Sequence, residues 1–336
     1  MTSASNDDPS DLSFAGEPLG DLFGQLPTDA ADYARCALSD AQILFYKANG
    51  YLSQVRVLTD EQCNRLINEC EKFLLWNDDD TSATDGKNDS HRLSLAERSL
   101  LYEYHSNQSA DPENVVTHML GHWRVSRLFH DLVFIPNITV PVSQLLAAFH
   151  PSEKPMVPVQ FWHDQLFAKP PYHGGHVAWH QDYSYWTRTE PMQHVTVHIA
   201  LDDQTEENGA IHHVPGSHLW HRIEDGKEVP LPITDPNFRD MDSIKTVLTA
   251  EELERFQPLP SLLKKGHATF HHALTVHGSY SNRTASARRA AVLNYFVEGT
   301  RSNTDEALLH GVPVIPRGQP LKSRFFPLVF DPTWMQ

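Results

Sequence analysis

The sequence predicts a mainly β domain, of the sandwich, barrel or jelly-roll type, preceded by a helical region. Between about residues 155 and 298, short segments rich in Val, Thr and aromatic residues are separated by Gly, Pro, Asn and Asp, which is typical of antiparallel strands. Between about residues 40 and 150, apolar side chains recur at helical spacing instead. No internal repeat is visible, so these patterns indicate one domain and not an array.

The chain of 336 residues begins with a polar, acidic stretch. Residues 1–30 are predicted to be a disordered tail, because this composition offers little apolar surface to bury. Residues 31–336 are predicted to form the single domain, with a C-terminal extension over 299–336. The tail lacks the basic start and apolar run of a secretory signal, and no long apolar stretch occurs, which predicts a cytoplasmic protein without a membrane span. The net charge of -16 argues against a nucleic-acid partner.

The first strong helix is predicted over "LTDEQCNRLINECEKFLLW", where Thr59 and Gln62 fit a capping box. Cys63 and Cys70 share one face of it, which indicates core packing and not a disulfide. The polar residues 77–92 are predicted to form a loop. Three later segments are predicted to be helical: "SLAERSLLYEYHS", "ENVVTHMLGHWRVSRLFHDLVF" and "TVPVSQLLAAF".

Six strands are predicted in the β-rich part: "VPVQFWHDQLFAK", "HVAWHQDYSYW", "HVTVHIALDD", "GAIHHVPGSH", "HATFHHALTVHGS" and "RRAAVLNYFVEG". The third alternates clearly. Val195, Val197 and Ile199 face one side, whereas Thr196 and His198 face the other together with His194. A polar face on a central strand is typical of a wall that lines a pocket.

His180 and Asp182 lie two positions apart at the end of a predicted strand, so both side chains project to one side. His277, before Gly278, is the candidate for a third ligand. Two imidazoles and one carboxylate on one face of a metal leave three positions open, which is diagnostic of non-haem Fe(II) oxygenases. Arg288 begins the next predicted strand, and a hairpin between the two would bring its guanidinium near the metal, where it could bind the far carboxylate of a 2-oxo acid.

Residues from about 155 to 298 resemble the phytanoyl-CoA dioxygenase family of Fe(II)/2-oxoglutarate-dependent oxygenases. The resemblance rests on the order and spacing of "KPP" at 169–171, "WHQD" at 179–182, "ENGAIHHVPGSH" at 207–218 and "HGSYSN" at 277–282, with Arg288 eleven residues after His277. The stretch "LFHDLVFIPNITVPVSQLL" is similar to the helices that precede that family's core.

The resemblance implies a double-stranded β-helix, which is a cupin-like jelly roll flanked by helices. It implies His180, Asp182 and His277 as iron ligands, and it implies Arg288 as the partner of the 2-oxoglutarate C5 carboxylate with Ser279 as a helper. Further residues are candidates to contact ligands. They are His163 and Thr196 for 2-oxoglutarate, and Lys169, Gln181, Tyr183 and His198 for the substrate.

The activity that the resemblance implies is hydroxylation of an unactivated C–H bond in a small organic or lipid-like molecule. The cofactors would be Fe(II), 2-oxoglutarate and O2, and the products would include succinate and CO2. Asp182 favours hydroxylation over halogenation, in which Gly or Ala replaces the carboxylate. A metal-dependent, cupin-like hydrolase or isomerase is an alternative, although it leaves Arg288 unexplained. A non-catalytic 2-oxoglutarate-binding module is a second alternative. The substrate could be a fatty acyl thioester, an amino acid or a secondary metabolite, and the oligomeric state stays open.

Overall fold

The structure is a computed structural model that describes residues 11–27, 29–74, 93–106, 116–172, 175–235 and 240–335. The predicted loop over 77–92 therefore lies outside the described residues. The helices are α1 (Ala30–Ala34), α2 (Asp40–Asn49), α3 (Asp60–Leu74), α4 (Leu95–Leu100), α5 (Arg127–Leu132), α6 (Pro136–Ala147) and α7 (Ala250–Glu254). None of the described helices is long and apolar enough to cross a membrane.

Sixteen strands are found in the described part of the chain. They are β1 (Tyr51–Arg56), β2 (Tyr102–Ser106), β3 (Val116–Leu120), β4 (Val159–Lys169), β5 (Val177–His180), β6 (Thr189–Glu190), β7 (His194–Ala200), β8 (Ile211–His213), β9 (Arg222–Glu224), β10 (Lys227–Val229), β11 (Leu259–Pro260), β12 (His267–His272), β13 (His277–Ser279), β14 (Arg288–Val297), β15 (Arg301–Ser302) and β16 (Leu328–Phe330).

Two antiparallel sheets form the core of the fold. The larger one has the order β1-β12-β7-β14-β4-β3-β2, with β16 paired to β4, and the smaller one has the order β11-β8-β13-β5. Side chains from both sheets, such as Thr196 and His277, line one cavity between them. The predicted mainly β, jelly-roll architecture is therefore confirmed, and the candidate site lies inside it.

The outer face of the larger sheet packs against helices. α6 contacts β4, β7, β14 and β16, and its residues Ile138, Val142 and Leu145 are fully buried. The capping box that the sequence predicts at α3 is present. The backbone N–H of Gln62 donates to Thr59 Oγ1, and the backbone N–H of Thr59 donates to the side-chain Oε1 of Gln62. Cys63 and Cys70 are fully buried in this helix-facing core, as predicted.

The N-terminal half contains more β structure than its sequence pattern predicts. The segment read as a helix over 94–106 is α4 followed by β2, and the segment over 113–134 contains β3 before α5. β3 pairs with β4, so these residues extend the large sheet at its edge. The apolar positions in such short segments fit the period of a helix and that of a strand equally well. Pairing with β4 favours the strand for β3.

The predicted strand over 267–279 is two strands in different sheets. β12 belongs to the larger sheet and β13 to the smaller one, and the chain turns between them at residues 273–276. The hairpin expected between His277 and Arg288 is therefore not formed, because β14 pairs with β4 and β7 instead. The two residues still meet, since they line the same cavity from facing sheets.

Residues 11–27 also differ from the disordered tail predicted over residues 1–30. Asp11 is 4% exposed and accepts two hydrogen bonds from the Arg124 guanidinium, while Arg324 approaches the same carboxylate. The backbone N–H groups of Leu19 and Gly20 donate to Asp131. Few apolar side chains are needed here because charge-assisted hydrogen bonds attach the segment.

Candidate active site

His180, Asp182 and His277 are brought together as the sequence predicts. His180 is the last residue of β5, Asp182 begins a short 3-10 helix, and His277 pairs with His180 across β5 and β13. One ligand atom from each residue lies within 4.8 Å of the others. Gly278 permits this close approach, since a Cβ there would lie 2.9 Å from both Trp179 and the Val177 carbonyl.

Hydrogen bonds orient both imidazoles. His180 Nδ1 lies 2.8 Å from the Ala178 carbonyl oxygen and His277 Nδ1 lies 2.9 Å from the Thr275 carbonyl oxygen. A carbonyl only accepts, so each Nδ1 carries the proton and each Nε2 presents a lone pair. Those Nε2 atoms lie 3.6 Å and 3.5 Å from Asp182 Oδ1. The two lone pairs and one carboxylate oxygen therefore converge, which is the usual arrangement around a bound metal ion.

The second oxygen of Asp182 is held by the larger sheet. Thr196 Oγ1 donates to Asp182 Oδ2 at 2.6 Å, and His271 Nε2 donates to the same oxygen at 3.0 Å. His271 in turn lies 3.4 Å from His213, whose other ring nitrogen lies 3.1 Å from the Ser261 hydroxyl. These contacts fix the carboxylate plane and leave Oδ1 for the metal side.

The charges of Asp182 and His277 are those that a metal requires. Burial by itself would raise the pKa of Asp182, but the His277, His180 and His271 imidazoles outweigh it, and the pKa lies well below its usual range. Burial, followed by the proximity of His180, lowers the pKa of His277 well below the usual value. An ionised carboxylate beside a neutral imidazole needs no proton release before a cation binds.

Arg288 is buried at 2% exposure beside the three residues, with its guanidinium at the cavity. Burial lowers its pKa to about 10, so it is still a cation at neutral pH. Its Nε and Nη2 atoms are buried and have no hydrogen-bond partner among the described residues. The neighbouring Arg289 faces the other way and makes a bidentate contact with Asp202.

The residues present fit both Fe(II) and a dicarboxylic 2-oxo acid. Two imidazole nitrogens and one carboxylate oxygen form the ligand set of non-haem Fe(II) oxygenases. An unpartnered, buried guanidinium matches a carboxylate, because its planar fork donates two parallel hydrogen bonds. A buried cation without a partner is costly, so these orphaned donors indicate an anionic ligand.

The cavity that joins the three convergent residues to Arg288 has a volume of about 70 Å³, and it opens to solvent. Besides the residues already described, its lining is Gln165, Phe167, Val177, Thr196, His198, Ile211, Gly278, Ser279 and Val292. Thr196, His198 and Ser279 thus lie where the sequence interpretation puts ligand contacts.

Other candidate residues lie elsewhere. Gln181 is fully buried, and its amide bonds the carbonyls of Trp220 and Leu274 and the N–H of Leu231, so it fixes a loop and does not reach the cavity. Tyr183 is 4% exposed and donates to the Thr189 carbonyl within an apolar cluster.

Two candidates on β4 also need correction. His163 lies on the cavity-facing side of the strand but further along it, where its ring packs edge-on against Trp186 and contacts the Asn294 amide. Lys169, a candidate for substrate contact, does not line the cavity; it is fully buried and bonded to Ser279.

Sequence reasoning missed two residues of this site. Gln165 lines the cavity in the place expected of His163. Alternation along β4 puts both side chains on the same face of the strand, so the sequence pattern alone does not show which of them the cavity reaches. His271 contacts Asp182, and its alternation with Thr269 on β12 was the available signal. His271 lines the pocket, whereas its neighbour His272 packs against Phe149.

Comparisons with known proteins agree with this geometry. The family model described as phytanoyl-CoA dioxygenase matches residues 46–290, which include the smaller sheet, much of the larger one and the three convergent residues. The chain belongs to the phytanoyl-CoA dioxygenase family. The expected family is thereby confirmed, and the match begins well before the segment on which the resemblance rests.

Relatives of this family member differ in their named activities. A probable alpha-ketoglutarate-dependent hypophosphite dioxygenase of Stutzerimonas stutzeri is 29% identical over 142 residues, which are 41% of this chain and 45% of that protein. A phytanoyl-CoA dioxygenase domain-containing protein 1 homolog of Dictyostelium discoideum is 24% identical over 78% of this chain and 92% of its own length. The chain thus spans less than half the length of the first curated relative.

Solved structures share the fold at low identity. The non-heme alpha-ketoglutarate-dependent carbocyclase SnoK superposes with a TM-score of 0.61 at 22% identity, over 91% of this chain and all of that one. EctD from S. alaskensis, solved with 2-oxoglutarate and 5-hydroxyectoine, superposes with a TM-score of 0.56 at 18% identity, over 85% of this chain and 84% of that one. The expected cosubstrate, 2-oxoglutarate, is the one that these relatives' names and ligands carry. The expected iron is present, as Fe3+ with alpha ketoglutarate, in the structure of the epimerase SnoN, which superposes with a TM-score of 0.61 at 18% identity over 90% of this chain and all of that one.

Proposed function

We propose that this protein is an Fe(II)- and 2-oxoglutarate-dependent dioxygenase that hydroxylates an unactivated C–H bond of a small organic substrate. The observation that carries the proposal is the combination of His180, Asp182 and His277 with an unpartnered, buried Arg288 in one cavity. The balanced reaction converts R–H, 2-oxoglutarate and O2 into R–OH, succinate and CO2.

Each residue has a defined part in this reaction. His180 Nε2, His277 Nε2 and Asp182 Oδ1 hold the metal, and Thr196 with His271 keeps the carboxylate in place. Arg288 binds the distal carboxylate of the cosubstrate, which fixes the direction in which the keto end points. When bound, Fe(II) and 2-oxoglutarate would supply the electrons that reduce and thereby activate O2. The surrounding sheets exclude water from the reacting C–H bond.

Hydroxylation is preferred to halogenation because Asp182 occupies the position of the carboxylate ligand. A hydrolase or isomerase that uses a metal-bound water needs the same three residues but has no use for an unpartnered arginine. A non-catalytic module is disfavoured because the metal-binding residues and the anion-binding residue are all present and properly oriented.

Anaerobic titration tests the proposal directly. Fe(II)-loaded protein should develop a visible charge-transfer band when 2-oxoglutarate is added, and exposure to O2 should then release succinate. Substrate screening should include acyl thioesters, free amino acids and secondary metabolites, with labelled O2 used to follow oxygen into the product. Folded, iron-loaded protein that gives neither band nor succinate would rule the proposal out. Succinate with a product that contains no new oxygen would replace hydroxylation by a desaturation, cyclisation or epimerisation.

A further inference from the structure

Lys169 is a buried lysine whose role the proposed reaction leaves unexplained. Its side chain is fully buried, and its Nζ lies 2.8 Å from Ser279 Oγ, contacts the Tyr280 carbonyl and lies 3.4 Å from the Ser279 carbonyl. In the described residues these hydrogen bonds all go to neutral oxygen atoms. Burial of a lysine without a carboxylate is unfavourable, so the position calls for a second reason.

The bond to Ser279 determines which way that hydroxyl points. An anion bound at Arg288 favours the charged form of Lys169, and an ammonium group only donates, so Ser279 Oγ then accepts the hydrogen bond from Lys169. The hydroxyl retains one proton of its own, and no described residue accepts it. Ser279 lines the cavity together with Arg288. The free O–H is therefore available to donate to an anion at Arg288.

Lys169 and Arg288 are also neighbours. They are paired residues on β4 and β14, and both side chains are buried. Burial, and secondly the charge of Arg288, lowers the pKa of Lys169 well below its usual value. Two adjacent buried cations repel each other until an anion lies beside them, although the whole chain has a net charge of -16.

We propose that Lys169 is a positioning residue for the distal carboxylate of the cosubstrate: it donates to Ser279 Oγ and thereby directs the Ser279 hydroxyl proton toward the carboxylate bound by Arg288. The inference rests on the proposed function and deepens it, because it makes the site selective for a 2-oxo acid with a second carboxylate. The simpler alternative is that Lys169 only ties the end of β4 to the residues after β13.

A double-mutant cycle separates these possibilities. The variants are Lys169→Met, Ser279→Ala and the double variant, and the measurement is the dissociation constant of 2-oxoglutarate for the Mn(II)-loaded protein by calorimetry, without turnover. Each single change should weaken binding roughly tenfold, since each loses the same hydrogen bond to a charged group. The double variant should stay near tenfold instead of reaching about a hundredfold. Lys322→Met, at a lysine whose side chain is 68% exposed, is the matched control and should change nothing.

A second ligand tests selectivity. 2-Oxovalerate has the same chain length as 2-oxoglutarate and a methyl group in place of the distal carboxylate, so its affinity should be the same for wild type and Lys169→Met. Binding of glutarate to metal-free protein should weaken in parallel with that of 2-oxoglutarate, because glutarate reports on the carboxylate end alone.

The possible results are decisive. The inference would be overturned if the double variant lost 2-oxoglutarate affinity by the product of the two single-variant factors. It would also be overturned if Lys169→Met lost as much affinity for 2-oxovalerate as for 2-oxoglutarate. A Ser279→Ala protein that binds 2-oxoglutarate as wild type does would overturn it as well. If Lys169→Met does not fold, Lys169→Gln takes its place in the cycle, and failure of both to fold would assign Lys169 the structural role. A wild type that fails to distinguish the two 2-oxo acids would count against the proposed function itself, whereas discrimination that depends on Arg288 but not on Lys169 would count against this inference alone.

Discussion

Alternate residues of β7 meet two different environments. Val195, Val197 and Ile199 are buried in the apolar core that the helices cover, where each side chain finds apolar partners. Thr196 and His198, between them, face the cavity, and on the same wall Arg288 retains unpartnered donors. Burial of the apolar side chains on the helix-facing side stabilises the folded protein. The cavity side keeps part of its bonding capacity for ligands, which favours binding at the expense of stability.

The largest expected effect is on the cavity side. Asp182→Ala should reduce succinate formation by more than about a hundredfold, since loss of a metal ligand exceeds the effect of losing an outer partner. The melting temperature should stay close to that of wild type, because no apolar packing is removed. Asp203→Ala, at a carboxylate that is 53% exposed, is the control in the same assay. Turnover of Asp182→Ala within twofold of wild type would show that this carboxylate is not a ligand.

The opposite result is expected on the helix-facing side. Ile199→Ala should lower the free energy of unfolding by about 2–5 kcal/mol, through lost burial and the cavity left behind. Binding of 2-oxoglutarate by the folded fraction should be unchanged. Urea denaturation and calorimetry measure the two quantities separately. A variant that keeps its stability but loses cosubstrate affinity would contradict the assignment of the two faces.

Arg288 and Arg289 repeat the comparison within two adjacent residues. Arg288→Gln should raise the apparent KM for 2-oxoglutarate roughly ten- to a hundredfold while iron affinity stays the same, since a bidentate, charge-assisted contact is lost. Arg288→Lys should recover only part of it, because an ammonium lacks the planar fork. Arg289→Gln removes a bridge to Asp202 and should leave the KM unaltered. The reverse pattern would mean that Arg289 and not Arg288 serves the cosubstrate.

Asp11, unlike Arg288, is a buried charged residue whose partners, Arg124 and Arg324, belong to the protein itself. Asp11→Ala should lower the free energy of unfolding by about 2 kcal/mol, because Arg124 then remains buried without its carboxylate. Burial opposes ionisation of Asp11, but the Arg124 contacts outweigh it and lower its pKa. Its contribution to stability should therefore be complete above the unfolded pKa near 3.9 and be lost as the pH falls through the lower folded value. A variant as stable as wild type at neutral pH would show that the contact between Asp11 and Arg124 does not stabilise the fold.

The smallest effect is expected for Thr196→Val. Valine has nearly the same shape, so stability should change by less than about 1 kcal/mol. The bond to Asp182 Oδ2 is lost, while His271 still holds that oxygen, so turnover should fall only a few-fold. A loss as large as that of Asp182→Ala would show that Thr196 alone orients the carboxylate.

Patterns within a few residues predicted much of this molecule. The capping box at Thr59, the alternation along β7 and the start of β14 at Arg288 depend on neighbours in sequence, and all three are found. The three candidate metal ligands were also accessible from the sequence, because His180 and Asp182 are suitable residue types two positions apart at the end of a predicted strand. The family motifs then pointed to His277.

Contacts between distant segments decided the rest. A short apolar segment such as 116–120 becomes β3 only because β4 is available to pair with it. Residues 11–27 are held by Arg124 and Asp131, more than 100 positions away, which composition alone does not reveal. On β4, alternation gives His163 and Gln165 the same face, but only the packing of Trp186 and Asn294 over His163 leaves Gln165 at the cavity. Sequence determines which side chains share a face, whereas tertiary packing determines which of them stay open to a ligand, since that depends on what lies opposite.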